Sequence, residues 1–232
     1  MIYRLARVVL VTAFRVIWRP EVVGLQHVPA DGPVIIASNH LSFSDSVVVP
    51  MLVRRRVTFL AKSEYFTTPG LRGRLMAGFF TAIGAVPIRR TGRRDDSMDA
   101  LTTAEEVLNA GQAFALYPEG TRSRDGRLYR GRTGVAWLSL ATSAPVVPVA
   151  LRGTEKLQPI GSKLPRLCRV RVSFAPPVDP QPYQARLDAG EGAGRIRREL
   201  TDAVMDAIAG MSGQERARSY NSSSSDDAEP GV

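Results

Sequence analysis

The sequence predicts an α/β fold in which a mixed, mostly parallel sheet is flanked by helices. Short apolar runs rich in valine and isoleucine alternate with longer stretches of helical pattern, which is typical of an α/β sandwich. The 232 residues are 44% hydrophobic and 23% charged, enough to build one large domain with its own core. The predicted strands span residues 34–38, 57–60, 85–88, 113–117, 146–151 and 170–174, and the predicted helices span residues 45–53, 64–82, 95–110, 133–142 and 194–209.

The charge balance indicates an anionic partner. The net charge is +9, and only three of the 31 basic residues are lysines. Arginine binds phosphate through two parallel hydrogen bonds, so nucleic acid, anionic lipid and phosphate-bearing substrates all fit this composition. A single cysteine, Cys168, excludes an internal disulfide, and two histidines make a multi-histidine metal centre unexpected. We therefore expect no metal and a reducing compartment.

Three segments differ in composition. Residues 1–19 predict an amphipathic helix that lies on an anionic membrane surface, because arginines fill one sector of the helical wheel and apolar residues the other. A helix docked on its own domain would show a similar pattern. Residues 20–210 form the predicted domain, and the polar, serine-rich residues 211–232 predict a disordered tail.

The most informative motif follows the first long apolar strand. His40 stands where this strand ends, and Asp45 stands where the next helix begins. Imidazole is the usual general base near neutral pH, and a nearby carboxylate can fix its tautomer. Spacing alone also fits a structural histidine followed by an aspartate that caps a helix.

A second motif, Tyr117 to Ser123, also follows an apolar strand. It places Glu119, Gly120, Thr121 and Arg122 in succession, which offers backbone N–H groups, a hydroxyl and a guanidinium for a phosphate. A surface turn with solvated charges is the alternative.

Two further strands complete a set of four sequence blocks. One strand begins after Gly84 and ends in Arg89 and Arg90, and another is framed by Pro145 and Pro148. The two arginines can neutralise an anion, whereas Pro148 carries no chemistry and is expected to shape a pocket wall.

These four blocks, in this order, resemble the glycerolipid acyltransferase superfamily, the PlsC-type 1-acyl-sn-glycerol-3-phosphate acyltransferases. Asn39 and His40 with Asp45 match the family's Asn-His-x4-Asp signature, and residues 119–123 match its third motif. The second motif departs from the family at Pro87, where a bulky apolar residue is usual. The resemblance covers roughly residues 20–180, and it overturns the structural interpretation of His40.

The resemblance implies a mechanism and a set of partners. His40, oriented by Asp45, would take the proton of a substrate hydroxyl, which then attacks the thioester of acyl-CoA or acyl-carrier protein without a separate cofactor. The Glu119–Arg122 motif and Arg89 or Arg90 would hold the phosphate of lysophosphatidic acid, with Asn39, Gly84 and Pro148 as structural positions of the motifs. The expected location is the cytoplasmic face of the cell membrane, peripheral or monotopic.

Two alternatives stay open at the level of sequence. One is an acyltransferase for another lysophospholipid or a glycolipid, and the other is a non-catalytic basic protein that binds membranes or nucleic acid. Nucleic-acid binding usually adds exposed aromatics among the basic residues, and Tyr129 alone falls in the arginine-rich stretch. We therefore expect no nucleic-acid partner.

Overall fold

The computed structural model describes residues 2–88, 94–162 and 164–221. The strands are β1 Glu21–Val23, β2 Val34–Ser38, β3 Val57–Lys62, β4 Ala85–Ile88, β5 Ala113–Leu116, β6 Val146–Arg152 and β7 Arg171–Phe174. The α-helices are α1 Ile2–Trp18, α2 Asp45–Leu52, α3 Glu64–Thr67, α4 Gly70–Ile83, α5 Arg94–Asn109, α6 Gly134–Thr142, α7 Thr154–Leu157, α8 Gln181–Asp188 and α9 Ala193–Ser212. A short 3-10 helix, Leu25–His27, follows β1.

The strands form a single seven-stranded sheet in the described part of the chain. Their order is β1-β7-β6-β2-β5-β3-β4, and every neighbouring pair is parallel except β6 and β7. The predicted mixed, mostly parallel sheet flanked by helices is therefore confirmed. β2 lies at the centre between β5 and β6, so the residues that follow it have neighbours on both sides.

Both faces of the sheet are covered. Successive side chains of a strand point to opposite faces, and β2 is apolar at every position up to Ala37. Val34 and Ile36 pack on one side with α2, whereas Ile35 and Ala37 pack on the other side with α5, α6 and α9. This double burial makes β2 a rigid support for the residues at its carboxyl end.

The predicted helix over residues 64–82 is wrong as a single element. It is two helices, α3 and α4, separated at Thr68 and Pro69. Proline restricts the preceding residue to extended backbone, and Thr68 accordingly has ψ 125°. Because the broken pattern stays apolar on both sides of the proline, the hydrophobic periodicity alone did not indicate the break.

The turn from α4 into β4 requires a glycine. Gly84 ends α4 with φ 98°, in the left-handed region that glycine adopts without strain. A Cβ at this position would lie 2.2 Å from the carbonyl oxygen of Val57, so any other residue would displace β3. Gly84 thus sets how α4 returns to the sheet edge.

Helix α1 contacts the domain through side chains near its carboxyl end. Phe14 is buried, Trp18 packs beside it, and the Trp18 indole Nε1 donates a hydrogen bond of 3.0 Å to the carbonyl oxygen of Arg166. Val16 and Ile17, which also lie near the end of the helix, are 62% and 52% exposed. Trp18 therefore contacts protein, while the exposed Val16 and Ile17 form an apolar strip that faces outward.

The predicted disordered tail over residues 211–232 is corrected for its first part. Helix α9 continues to Ser212, and the chain up to Asn221 hydrogen-bonds with residues 121–132. Composition missed this because the contacts are made by backbone and polar side chains rather than by apolar burial. Residues 222–232 lie outside the described part of the chain.

Candidate active site

The site forms where three neighbouring strands end. β2 leads into Asn39 and His40, β5 leads into Tyr117, and β6 lies on the other side of β2. Because parallel strands point the same way, the loops after β2 and β5 meet at one edge of the sheet. Residues that are 79 positions apart in sequence, such as His40 and Glu119, are thereby brought into hydrogen-bond contact.

The His40 imidazole is paired with a buried carboxylate. His40 Nδ1 lies 2.9 Å from Asp45 Oδ2, and the same oxygen accepts hydrogen bonds from the backbone N–H groups of Leu41 (2.6 Å) and Ser42 (2.8 Å). The side chain of Asp45 is fully buried, whereas that of His40 is 15% exposed. A carboxylate on Nδ1 fixes the proton there and leaves Nε2 with a lone pair, so Nε2 can accept a proton from a substrate.

The imidazole also stacks on an aromatic ring. The rings of His40 and Tyr117 are 3.8 Å apart between centroids and within 6° of parallel. Burial raises the pKa of the Tyr117 phenol well above its ordinary value, and the nearby Asp45 charge adds to this effect. Tyr117 therefore stays neutral and shares a hydrogen bond of 2.8 Å with Ser46 Oγ. The stack fixes the ring plane, and sequence analysis assigned Tyr117 no such part because the adjacency of β2 and β5 was not known.

Glu119 occupies an unexpected position. It is fully buried, and its two carboxyl oxygens accept the backbone N–H groups of His40 (3.0 Å) and Tyr129 (2.9 Å). The Ser123 N–H in turn donates to the His40 carbonyl oxygen at 2.8 Å. The expected substrate contact of Glu119 is therefore corrected. Both of its oxygens are engaged by backbone and neither is exposed, so Glu119 positions His40 instead.

The burial of Glu119 predicts a dependence of stability on pH. Burial raises the pKa of Glu119 from 4.5 to about 7, partly offset by the two N–H donors. A carboxyl group with a raised pKa contributes stability that is complete below pH 4.5 and is lost as pH rises through about 7. In urea unfolding from pH 4.5 to 8, we expect the stability difference between the wild type and Glu119→Gln to shrink with rising pH. Exposed Glu155→Gln is the control, and a difference that grows with pH would contradict the raised pKa.

The remaining residues of the second motif form the loop beside His40. Gly120 has φ 81°, and a Cβ there would lie 2.9 Å from Arg132 Nε, so the tight turn needs glycine. Thr121 and Arg122 follow in half-buried positions, and their carbonyl oxygens accept hydrogen bonds from Asn221 Nδ2. The two arginines proposed to assist them, Arg89 and Arg90, lie outside the described residues.

The expected structural positions tie the site to the sheet. Asn39 is fully buried, and its side-chain amide exchanges two hydrogen bonds with the backbone of Leu151 in β6, at 2.9 and 2.8 Å. Pro148 lies opposite Ala37 in the pairing of β2 with β6, and its carbonyl oxygen accepts the Ala175 N–H. The structure thus holds the residue before His40 on a neighbouring strand. Gly84 lies in the α4–β4 turn described above.

Metal chemistry has no support in the described ranges. No group of three or more histidine, cysteine and acidic residues there could hold a metal ion. Cys168 is half-buried, burial raises the pKa of its thiol, and its Sγ lies 3.5 Å from the Gly153 carbonyl oxygen.

Comparison with known proteins decides the family. A family model described as "Acyltransferase" matches residues 19–152, which contain β2, His40, Asp45 and the loop after β5. The chain belongs to the acyltransferase family. The match is continuous from the end of α1 to the end of β6, so the whole site described above lies within it.

Named members of the acyltransferase family from plants are among the relatives. The chain is 32% identical over 147 residues to chloroplastic 1-acyl-sn-glycerol-3-phosphate acyltransferases of Brassica napus and Arabidopsis thaliana, a match that covers 63% of this chain. The match covers 41% and 39% of those relatives' own lengths. An uncharacterized protein of Mycobacterium tuberculosis is 28% identical over 238 aligned positions, which cover 84% of this chain and 61% of that protein.

The acyltransferase fold is shown by a solved structure. The 1-acyl-sn-glycerophosphate acyltransferase PlsC from Thermotoga maritima superposes with a TM-score of 0.63 and 23% sequence identity. The superposition covers 90% of this chain and 82% of that one. The two proteins therefore share the arrangement of sheet and helices.

Proposed function

We propose that this protein moves a fatty acyl group from acyl-CoA or acyl-carrier protein to the free hydroxyl of 1-acyl-sn-glycerol-3-phosphate and so makes phosphatidic acid. The observation that carries the proposal is the pairing of His40 Nδ1 with the buried Asp45 carboxylate, which leaves Nε2 as a base. Membership of the acyltransferase family and the names of the plant relatives support the same reaction.

The proposed reaction transfers the acyl group directly from the thioester to the hydroxyl and needs no acyl-enzyme intermediate. Nε2 of His40 takes the proton of the acceptor hydroxyl as its oxygen forms a bond to the thioester carbonyl carbon. The carbon–sulfur bond then breaks, and the departing thiolate receives the proton from the imidazolium, which gives an ester and a free thiol. General-base assistance of this kind contributes roughly 10²- to 10⁴-fold in rate. The Asp45 carboxylate stabilises the imidazolium in between.

The acceptor phosphate is proposed to bind at the loop after β5. Thr121 and Arg122 lie between Glu119 and Ser123 in the chain. Glu119 accepts a hydrogen bond from the His40 N–H, and the Ser123 N–H donates one to the His40 carbonyl oxygen. A guanidinium and a hydroxyl beside backbone N–H groups form a suitable site for a phosphate monoester. A hydroxyl two carbons from that phosphate would then be presented to the base, and this proximity raises the rate further.

A panel of donors and acceptors tests the proposal. Purified protein is assayed with acyl-CoA and acyl-carrier protein, each against lysophosphatidic acid, other lysophospholipids and glycolipids. We expect phosphatidic acid and one free thiol per ester from lysophosphatidic acid. Ester formation only with another acceptor would contradict the proposed substrate, and no ester with any pair would contradict catalysis.

Removal of the proposed phosphate ligand gives a more specific test. We expect Arg122→Ala to raise the KM for lysophosphatidic acid about 10- to 100-fold, because charge-assisted hydrogen bonds contribute more than neutral ones. Arg195→Ala on α9, which removes one exposed arginine elsewhere, is the matched control. Equal KM values for both variants would exclude Arg122 as the phosphate ligand.

We also propose that the protein binds an anionic membrane surface, peripherally or monotopically, at the cytoplasmic face. Within the described ranges, no helix has both the length and the apolar character that crossing a bilayer requires. The outward strip of α1, which includes Val16 and Ile17, is instead suited to shallow insertion, and Leu71 and Leu75 of the neighbouring α4 are also largely exposed. The net charge of +9 favours anionic lipid.

The outward strip of α1 gives a prediction for vesicle binding. We expect Val16→Asp with Ile17→Asp to reduce co-sedimentation with phosphatidylglycerol vesicles several-fold and to leave the melting temperature unchanged, because both side chains already face away from the core. Deleting α1 would be a poorer test, since it removes the buried Phe14. Met98→Asp, an exposed apolar residue on α5 at the opposite face of the sheet, is the control. Undiminished binding of the double variant would place the membrane contact elsewhere.

A further inference from the structure

The chain that follows α9 crosses the candidate active site. Residues 214–221, here named the strap, lie along residues 126–132 of the loop that carries the second motif. The Leu128 N–H donates to Glu215 O at 2.8 Å, the Ala217 N–H donates to Leu128 O at 2.9 Å, and the Arg130 N–H donates to Ser219 O at 3.0 Å. Leu128 and Arg216 form a parallel β-bridge at the centre of this contact.

The beginning of the strap reaches the residue next to the base. Gln214 Oε1 accepts a hydrogen bond of 2.7 Å from Asn39 Nδ2, and Gln214 Nε2 donates one of 2.7 Å to the Gly126 carbonyl oxygen. A single side chain therefore connects the end of β2 to the loop after β5.

The end of the strap holds the proposed phosphate-binding residues. Asn221 Nδ2 donates to the carbonyl oxygens of Arg122 (2.9 Å) and Thr121 (3.4 Å). The carbonyl oxygen of Asn221 in turn accepts a hydrogen bond of 3.3 Å from Arg132 Nη2. These bonds fix backbone that would otherwise be an exposed turn, and they restrict the direction in which the Arg122 side chain leaves the chain.

The ring of Tyr220 contacts the guanidinium groups of two arginines in the same loop. The guanidinium carbons of Arg130 and Arg132 lie 5.3 and 5.7 Å from the ring centroid, within the range of cation–π attraction. Arg198 of α9 donates a hydrogen bond to the Tyr220 hydroxyl at 3.4 Å. The two positively charged guanidinium groups repel each other. Their shared attraction to the ring partly offsets this repulsion and keeps both groups near the proposed anion site.

We propose that the strap is part of the acceptor site and that Asn221 is a positioning residue for Arg122. The inference rests on the proposed function, since it assigns the Arg122 loop to a phosphate-bearing acceptor. The strap binds mainly by polar contacts, and Tyr220 is 45% exposed. Loss of the strap's side-chain contacts should therefore loosen the loop without unfolding the domain. A loosened loop must be ordered again when the phosphate binds, which weakens acceptor affinity more than turnover.

Binding and amide exchange together test the strap. The variants are Asn221→Ala and Tyr220→Ala/Asn221→Ala. The matched control is Asn109→Ala, which removes an exposed amide at the end of α5. The probe is a short-chain lysophosphatidic acid below its micelle concentration, with its dissociation constant measured by calorimetry on the full chain. KM and kcat for the same acceptor are measured in parallel, and hydrogen exchange is followed in residues 121–132.

We expect the dissociation constant and KM of the double variant to rise about 5- to 30-fold, with kcat within threefold of the wild type and faster exchange in residues 121–132. Asn221→Ala should show a smaller rise, and Asn109→Ala should match the wild type. An unchanged dissociation constant in the double variant overturns the inference, whether or not exchange is faster. If the wild type binds the probe but transfers no acyl group, the proposed function fails while the ratio of dissociation constants still decides the role of the strap.

Discussion

Replacement of His40 by alanine is expected to lower kcat for acyl transfer by about 10²- to 10⁴-fold while leaving the fold intact. The substitution removes Nε2, the atom proposed to take the acceptor proton. It leaves the hydrogen bonds from Leu41 and Ser42 to the Asp45 carboxylate, so the turn after β2 is retained. Initial rates with lysophosphatidic acid and acyl-CoA, together with thermal unfolding, measure both effects.

The chain offers a matched control for this loss. His27 is the other histidine, and its Nδ1 contacts the Phe174 carbonyl oxygen at 2.9 Å, beside β7 rather than at the end of β2. We expect His27→Ala to keep kcat near that of the wild type. A His40→Ala variant that retained more than a tenth of the wild-type rate would remove His40 from the role of base.

Replacement of Asp45 by asparagine is expected to have the second largest effect, a fall in kcat of about 10²- to 10⁴-fold. An amide oxygen in the place of Oδ2 can still accept the N–H groups of Leu41 and Ser42. It carries no charge to stabilise an imidazolium, and the amide nitrogen, if turned toward His40, would impose the wrong tautomer. In the described residues, Asp45 Oδ1 has no hydrogen-bond partner, so the substitution breaks no hydrogen bond on that side.

The pH profile separates this loss from a loss of structure. Asp45→Asn should unfold at nearly the wild-type temperature but show depressed kcat at every pH from 6 to 9, with KM for the acceptor little changed. Asp188→Asn, an exposed aspartate at the end of α8, is the control. Wild-type kcat in Asp45→Asn would mean that the carboxylate serves only to hold the turn after β2, through the N–H groups of Leu41 and Ser42.

The sequence predicted the sheet well for a physical reason. β2 and β6 are short apolar runs buried on both faces, and their apolar patterns end close to where the strands end. The pattern is weaker where burial is partial. β1 has three residues with only the middle one half-buried, and α7 and α8 are short, so none of the three was predicted.

The candidate site was predicted less completely, because its contacts depend on strand order. His40 and Asp45 are five residues apart, and the family resemblance, not this spacing alone, led to the prediction that they pair. The stack on Tyr117 and the bond from His40 to Glu119 join loops 77 and 79 residues apart, which requires β5 to lie beside β2. The burial of Glu119 depends on how the loop folds and is not visible in the motif. From the sequence, Glu119 was therefore expected to contact substrate.

The helix α1 shows the same limit. Its wheel separated arginines from apolar residues, and the pattern fitted both a helix on a membrane surface and a helix docked on its own domain. The structure docks the helix through Phe14 and Trp18, near the arginine sector, where Arg15 donates a hydrogen bond of 3.3 Å to the Leu52 carbonyl oxygen. Which sector faces the domain was decided by two aromatic rings and not by the overall amphipathic pattern.

The bonds that join His40 to the loop after β5 have a consequence for how such proteins change specificity. Since both the N–H and the C=O of His40 are held by residues 119–123, an insertion or deletion between those positions would shift the proposed general base along with the proposed phosphate site. A change of acceptor specificity is therefore easier through substitutions at a fixed loop length, or through substitutions in the strap, than through insertions or deletions in the loop.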